Sequence, residues 1–405
     1  MRLREAQNRP EPRLRSGKQA RIMKHWTEPR CTRTGDTSVM AQSSSNSAGP
    51  FSGAIDCDVH PRVPDIHALK RYMNDHWRET VEVRGIDSFE SIAYPINAPL
   101  TTRPDYKTGD YKTGKIRADD DAGRLGHALL DPHGFSLAIC NCLYAVQMIR
   151  DEHMAAAFAR AVNDWVRHEW LDRDPRLRAS IVVPIQNIEL AVDEVNRCAA
   201  DKRFVQVLFL ALGEQPLGKS MFWPIYRAAE KHGLSIGIHA GSSYHHAITG
   251  SGWPSYYLED YAAQSLGFHA QVGSLIAEGV FVKFPKLKAV LIESGVTWLP
   301  PYLWRFEKFW RGVRLEVPWI DRPPMEIVRD HIRLTIQPFD APNDPALIAR
   351  VLDQLPSDEM LLFASDFPHW QFDGDAMLPA GIDGALRRKI LVDNPKAAYP
   401  RLAGG

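Results

Sequence analysis

Five side chains able to bind a metal stand at the ends of apolar, strand-like runs in this 405-residue chain. Asp58 and His60 close the run Ile55-Asp-Cys-Asp-Val-His60; two residues apart on a strand, they project to the same side. His239 closes Ile236-Gly-Ile-His239, Glu293 closes Val290-Leu-Ile-Glu293, and Asp366 follows Leu361-Leu-Phe-Ala-Ser365. Each alone reads as a hydrogen-bonded polar group or a turn former. Five of them on four strands read as a metal centre. Imidazole with carboxylate suits Zn, Mn or Fe, as one ion or two, and the share of carboxylate leans toward the harder Mn or Fe. Such an ion brings the pKa of a bound water toward about 7 and polarises a carbonyl.

For these residues to meet, their strands must lie parallel with carboxyl ends together. Apolar runs predict strands at 54–59, 136–143, 179–185, 204–212, 235–240, 288–293, 332–338 and 360–365. Helical periodicity falls between and after them, at 64–78, 151–171, 187–200, 220–232, 258–280, 298–315, 345–355 and 376–392. Asn187 and Ser220 are placed to cap two of these helices. Eight alternating units over about 340 residues predict an α/β protein of the (β/α)8 TIM-barrel type, usually about 250 residues plus insertions. An open doubly wound sheet is disfavoured because no Gly-rich phosphate loop follows the first strand. In a barrel, residues at the carboxyl ends of the strands line the active-site mouth.

Two insertions distort the pattern. Residues 80–134, after the first strand and helix, carry the pentapeptide Asp-Tyr-Lys-Thr-Gly twice, from Asp105 and from Asp110, and are expected to form a lid or subunit contact at the mouth. A second, Gly241 to Ser255, is rich in Gly, Ser, His and Trp and brings His245 and His246 to the same side. Residues 1–50 are basic and then Ser-rich, with ten Lys/Arg against three Glu up to Gly35. They are expected to be a disordered extension, with Met40 as an alternative start, ahead of one domain over 51–405. Forty-nine Lys+Arg balance forty-nine Asp+Glu, which excludes nucleic acid and membrane as expected partners. No apolar run reaches the roughly 18 residues of a membrane span. Five cysteines without a C-x-x-C spacing predict buried thiols in a reducing cytoplasm.

The body of the chain, about 54 to 400, resembles the amidohydrolase superfamily. The branch is the one that includes aminocarboxymuconate-semialdehyde decarboxylase and related aromatic-acid decarboxylases. The resemblance rests on Asp58-x-His60, His239, Ser365-Asp-Phe-Pro-His369 and the segment Gly279-Val-Phe-Val-Lys-Phe-Pro-Lys-Leu-Lys288. It implies a distorted (β/α)8 barrel holding one or two divalent metals at its mouth. Two positions depart from the pattern. Asp58 stands where the family usually has a histidine, and Glu293 stands where the decarboxylases carry a catalytic histidine followed by glycines. A glutamate anion there would repel a substrate carboxylate, and holding or bridging a metal suits it better. His269, in Gly267-Phe-His269, is either a packed helix histidine or a further ligand. As a ligand it would complete three histidines and three carboxylates, a set similar to dinuclear Fe or Mn/Fe enzymes.

The leading expectation is a metal-dependent hydrolase or non-oxidative decarboxylase acting on a small, carboxylate-bearing substrate. Asp58, His60, His239, Glu293, Asp366 and His269 are its candidate ligands. Asp366 would act as general base, and His369 or His269 as the acid that protonates the leaving group. Trp253, Tyr257 and Trp298 would wall the substrate, and Arg305 would pair with its carboxylate. The alternatives are a dinuclear oxygenase in the same pocket and an inactive partner subunit. A homodimer or a hetero-oligomer with a related barrel is the expected assembly.

Overall fold

The computed structural model describes residues 51–87, 121–369, 372 and 374–402. The N-terminal extension and most of the expected lid, with its pentapeptide repeat, lie outside the described residues.

Eight strands form one parallel sheet in sequential order: β1 (Ile55–Val59), β2 (Leu137–Cys140), β3 (Leu177–Val182), β4 (Phe204–Leu212), β5 (Ser235–Ser242), β6 (Ala289–Ile292), β7 (Ile332–Thr335) and β8 (Leu361–Leu362). This is the (β/α)8 barrel, with helices between the strands. The strands are almost wholly buried, so both faces need apolar cover, which explains their near-continuous runs of Ile, Val, Leu and Phe. Outside the sheet, α1 (Asp75–Val83), α2 (Glu152–Val166), α3 (Ile188–Cys198), α4 (Trp223–His232), α5 (Tyr257–Ala277), α6 (Leu299–Val313), α7 (Pro324–His331) and α8 (Pro345–Gln354) supply that cover.

Local chemistry sets the helix starts. Asp151 accepts from the main-chain N–H groups of His153 and Met154, Asn187 from that of Leu190, and Asp344 from that of Ala346. Ser220 does not cap: it opens a 3-10 turn, and Pro224 sits in the first turn of α4. The helix expected over 64–78 breaks in two, because Asn74 turns out of the helix and caps α1 by accepting from Trp77 N. The helix expected from 376 begins only at Gly384. The expected strand 332–338 ends at Thr335, just before Pro338, which has no N–H to give a ladder.

The seam between β8 and β1 closes the barrel irregularly, and three ligand candidates, Asp58, His60 and Asp366, sit on it. Cys57 N donates to Phe363 O, Asp366 N to Asp58 O and His60 N to Phe367 O, at 2.9, 3.2 and 3.0 Å. The fully buried Asp56 carboxylate accepts from Ser365 N at 3.0 Å and Asp58 N at 3.1 Å, so a side chain replaces missing strand pairing.

Candidate metal centre

The ends of β1, β5, β6 and β8 deliver Asp58, His60, His239, Glu293 and Asp366 to one place. His60 Nε2 lies 3.1 Å from Asp58 Oδ1 and 3.0 Å from Asp366 Oδ1. His239 Nε2 lies 3.6 Å from Asp58 Oδ2 and 3.7 Å from Glu293 Oε2. His369 joins through Nδ1, 2.7 Å from Asp366 Oδ1, and its ring stacks on that of His60 with centroids 3.9 Å apart. Asp58, His60 and His239 thus present ligand atoms within 4.8 Å of one another, and so do His60, Asp366 and His369. The backbone is strained where it aims two of the acids: Glu293 and Asp366 have φ of 58° and 56°, in the left-handed region that non-glycine residues avoid.

The ring nitrogens show what the cluster lacks. His60 Nδ1 is 3.1 Å from Asn141 O and His239 Nδ1 is 2.6 Å from Ala240 O. A carbonyl only accepts, so both Nδ1 atoms carry a proton, and the Nε2 of each ring faces carboxylate oxygens. His239 Nε2, Asp58 Oδ2 and Asp366 Oδ2 are buried without a hydrogen-bond partner. Lone pairs gathered around one point need protons or a cation between them. The donor set therefore fits a divalent ion, held by imidazole and carboxylate.

Electrostatics follow the same pattern. Burial alone would lower the pKa of His60 and His239, but Asp58 outweighs it and holds both above the usual imidazole value, helped at His60 by Asp366. Burial would raise Asp58 and Asp366, yet their histidine neighbours keep both below the ordinary carboxylate value. Glu293 goes the other way. Burial, reinforced by the charge of Asp366, pushes it up to about 8. Its Oε1 accepts from the Tyr261 hydroxyl at 2.9 Å. Burial and the neighbouring Asp366 thus favour the protonated carboxyl of Glu293, against the anion expected at this position.

Other predicted residues fall elsewhere. His269 is not brought into the cluster: it lies two turns beyond Tyr261 on α5, about 12 Å along the helix. There its Nδ1–H donates to Ser265 O at 2.7 Å, and its ring packs on Trp298 and Tyr302, with centroids 4.5 and 4.8 Å away. Trp298 belongs to that same packing group and donates from its indole N–H to Gly295 O. Arg305 lies on the exposed face of α6 with its guanidinium over the Phe309 ring. Trp253 is half exposed in the loop after β5, and His245 and His246 both pair with Glu214. Of the four residues expected to contact substrate, Tyr257 is linked to the cluster, its ring 5.4 Å from that of Tyr261.

Three residues absent from the sequence reading shape the site: Tyr261, Asp56 and Asn141. Asn141 carried a signal, a buried amide on the strand face opposite Cys140 and Cys142. Tyr261, one helix position among many, carried none.

The amidohydrolase family profile matches residues 55–401. Gamma-resorcylate decarboxylase of Polaromonas sp. is 28% identical over 280 residues, covering 65% of this chain and 82% of the relative. A gamma-resorcylate decarboxylase of Rhizobium sp. is 26% identical over 213 residues, covering 48% of this chain and only 60% of the relative. The crystal structure of 5-carboxyvanillate decarboxylase from Novosphingobium aromaticivorans, with manganese and 4-hydroxy-3-methoxy-5-nitrobenzoic acid, superposes with a TM-score of 0.65 at 18% identity, over 88% of this chain and 100% of that one. With the family profile spanning nearly all of the barrel, the chain belongs to the amidohydrolase family and is an enzyme of it.

Proposed function

We propose that this chain is a divalent-metal-dependent lyase that releases CO2 from a small aromatic carboxylate. The observation that carries the reading is the convergence of Asp58, His60, His239 and Asp366, with buried lone pairs that only a cation or protons would satisfy. The decarboxylase names of the relatives favour carbon–carbon cleavage over the hydrolysis expected from the superfamily at large. When bound, the ion supplies positive charge that anchors an anionic substrate.

The chain's own residues do the rest. Losing CO2 leaves the bonding electrons on the ring carbon, which must take up a proton. Glu293, held by Tyr261 at the edge of the donor set, is placed to hand over the proton on its carboxyl group and to recover one from solvent. Tyr257, packed against Tyr261, offers the ring a wall. The free, buried Cys57, Cys140, Cys142 and Cys198 support a reducing, cytoplasmic setting. The test is CO2 release from gamma-resorcylate and 5-carboxyvanillate, before and after chelation. Chelator-sensitive release supports the reading, and no release from any hydroxybenzoate by the metal-loaded chain refutes it.

One observation favours a second reading. His369, in place of His269, gives the cluster three imidazoles beside three carboxylates, enough donors for two ions and for O2 chemistry. Two irons per chain with substrate-dependent O2 uptake would select it.

A further inference from the structure

We infer that Asn141 is the positioning residue of the metal set, locking Asp58 and His60 together and leaving one oxygen of Asp58 to bind the ion. The inference rests on the metal-centre reading above and adds a residue that neither the family pattern nor the ligand geometry names.

Asn141 follows β2, is fully buried, and directs its main-chain N–H, its carbonyl and its side-chain NH2 to the single stretch Cys57 to His60. Its main-chain N–H donates to Val59 O at 2.8 Å. Its carbonyl accepts the His60 Nδ1–H at 3.1 Å, which fixes the tautomer that turns Nε2 toward the carboxylates. Its side-chain amide donates to Asp58 Oδ1 at 2.8 Å and to Cys57 O at 3.3 Å. Four consecutive residues, Cys57 to His60, are thereby tied to one asparagine. Because the amide occupies Asp58 Oδ1, Oδ2 is left as the buried oxygen without a partner, and it is the one offered to a cation.

The amide could serve this role only if it cannot flip. Its Oδ1 accepts from the Ser180 hydroxyl and from Gln206 Nε2, the latter at 3.1 Å, and Gln206 Nε2 also donates to Ser180 Oγ at 2.8 Å. Two donors on the oxygen force the NH2 toward Asp58. Gln206 is backed by β5 at Gly237, where an added Cβ would lie 2.6 Å from Gln206 Oε1. The chain Gln206–Ser180–Asn141–Asp58 thus carries orientation across four strands into the site. Outer hydrogen bonds of this kind typically change metal affinity by about 10–100-fold.

The test is the dissociation constant of Mn2+ for the chelator-stripped full chain, by competition with a chelating dye, alongside the Tm of the metal-free protein. Asn141→Ala should weaken Mn2+ about 10–100-fold. Ser180→Ala, which frees the amide without removing it, should weaken Mn2+ less, with a metal-free Tm close to wild type. Ile348→Ala, which truncates a buried core residue on α8 outside the ligand set and its hydrogen bonds, should lower Tm and leave the constant unchanged. If both polar variants bind Mn2+ within twofold of wild type, the role of Asn141 is overturned. Should Asn141→Ala fail to fold, Ser180→Ala decides alone. A wild-type chain that takes no Mn2+ overturns the metal-centre reading itself, a failure visible without any variant.

Discussion

Glu293→Gln separates the proton-carrying role of this residue from a merely structural one. The substitution keeps the acceptor that the Tyr261 hydroxyl uses and removes the exchangeable proton. In the folded chain Glu293 is pushed up to about 8 from an ordinary 4.5, first by burial and then by Asp366. An acid with a raised folded-state pKa keeps its proton in the folded chain while the unfolded chain loses it. Its contribution to stability is therefore lost as pH rises from about 4.5 toward 8. At about 1.36 kcal/mol per pH unit, the loss reaches about 4 kcal/mol at pH 8. Spread over the unfolding entropy of the roughly 320 described residues, this corresponds to about 6 °C in Tm. Glutamine carries no such loss. Chelator-treated Glu293→Gln protein should melt about 6 °C above wild type at pH 8 and together with it near pH 4.5. Turnover should move the opposite way, with kcat for CO2 release down about 10²–10⁴-fold and little change in KM. Differential scanning calorimetry across pH and a CO2-release assay at pH 7 read the two effects. A variant that melts with wild type at pH 8, or turns over within threefold of it, refutes the assignment.

Four further outcomes follow from individual contacts. His269→Phe should retain the wild-type metal content, since His269 packs with Trp298 and Tyr302; loss of metal on elemental analysis would restore it as a ligand. Burial lowers the pKa of His269, so the folded chain resists its protonation and stability falls as pH drops below about 6.5; in urea titrations between pH 7.5 and 5.5, His269→Phe should show a shallower fall than wild type. Gly295→Ala should cost about 2–3 kcal/mol, read as a lower urea midpoint, because φ is 71° and the new Cβ would lie 2.0 Å from Asp340 Oδ2. Asp56→Ala should cost about 2–5 kcal/mol, read as a lower urea midpoint, because it orphans the buried N–H groups of Asp58 and Ser365, whereas Asp56→Asn keeps an acceptor and should cost much less.

The barrel was legible because buried parallel strands require uninterrupted apolar runs, and those runs lie at all eight strand positions. Its candidate ligands stood out for a related reason. A charged residue closing such a run has few structural reasons to be there, and Asp58, His60, His239, Glu293 and Asp366 all do so. The helix residues were harder. His269 and Tyr261 share α5, and only the pitch of that helix in place decides that Tyr261 reaches Glu293 while His269 packs outside. The protonation of Glu293 was hidden for a different reason: it depends on burial beside Asp366, a neighbour 73 residues away in sequence. Asn141 shows the limit of motif reasoning, because its role comes from hydrogen bonds to β1, β3 and β4 at once.

Metal content tests the central claim most directly: elemental analysis of the full chain, purified without added metal and dialysed. The donor set of Asp58, His60, His239 and Asp366 predicts about one Mn, Zn or Fe per chain, lost in an Asp366→Ala variant that still folds. A folded wild-type chain that holds no divalent metal, and takes none up when it is supplied, would contradict it.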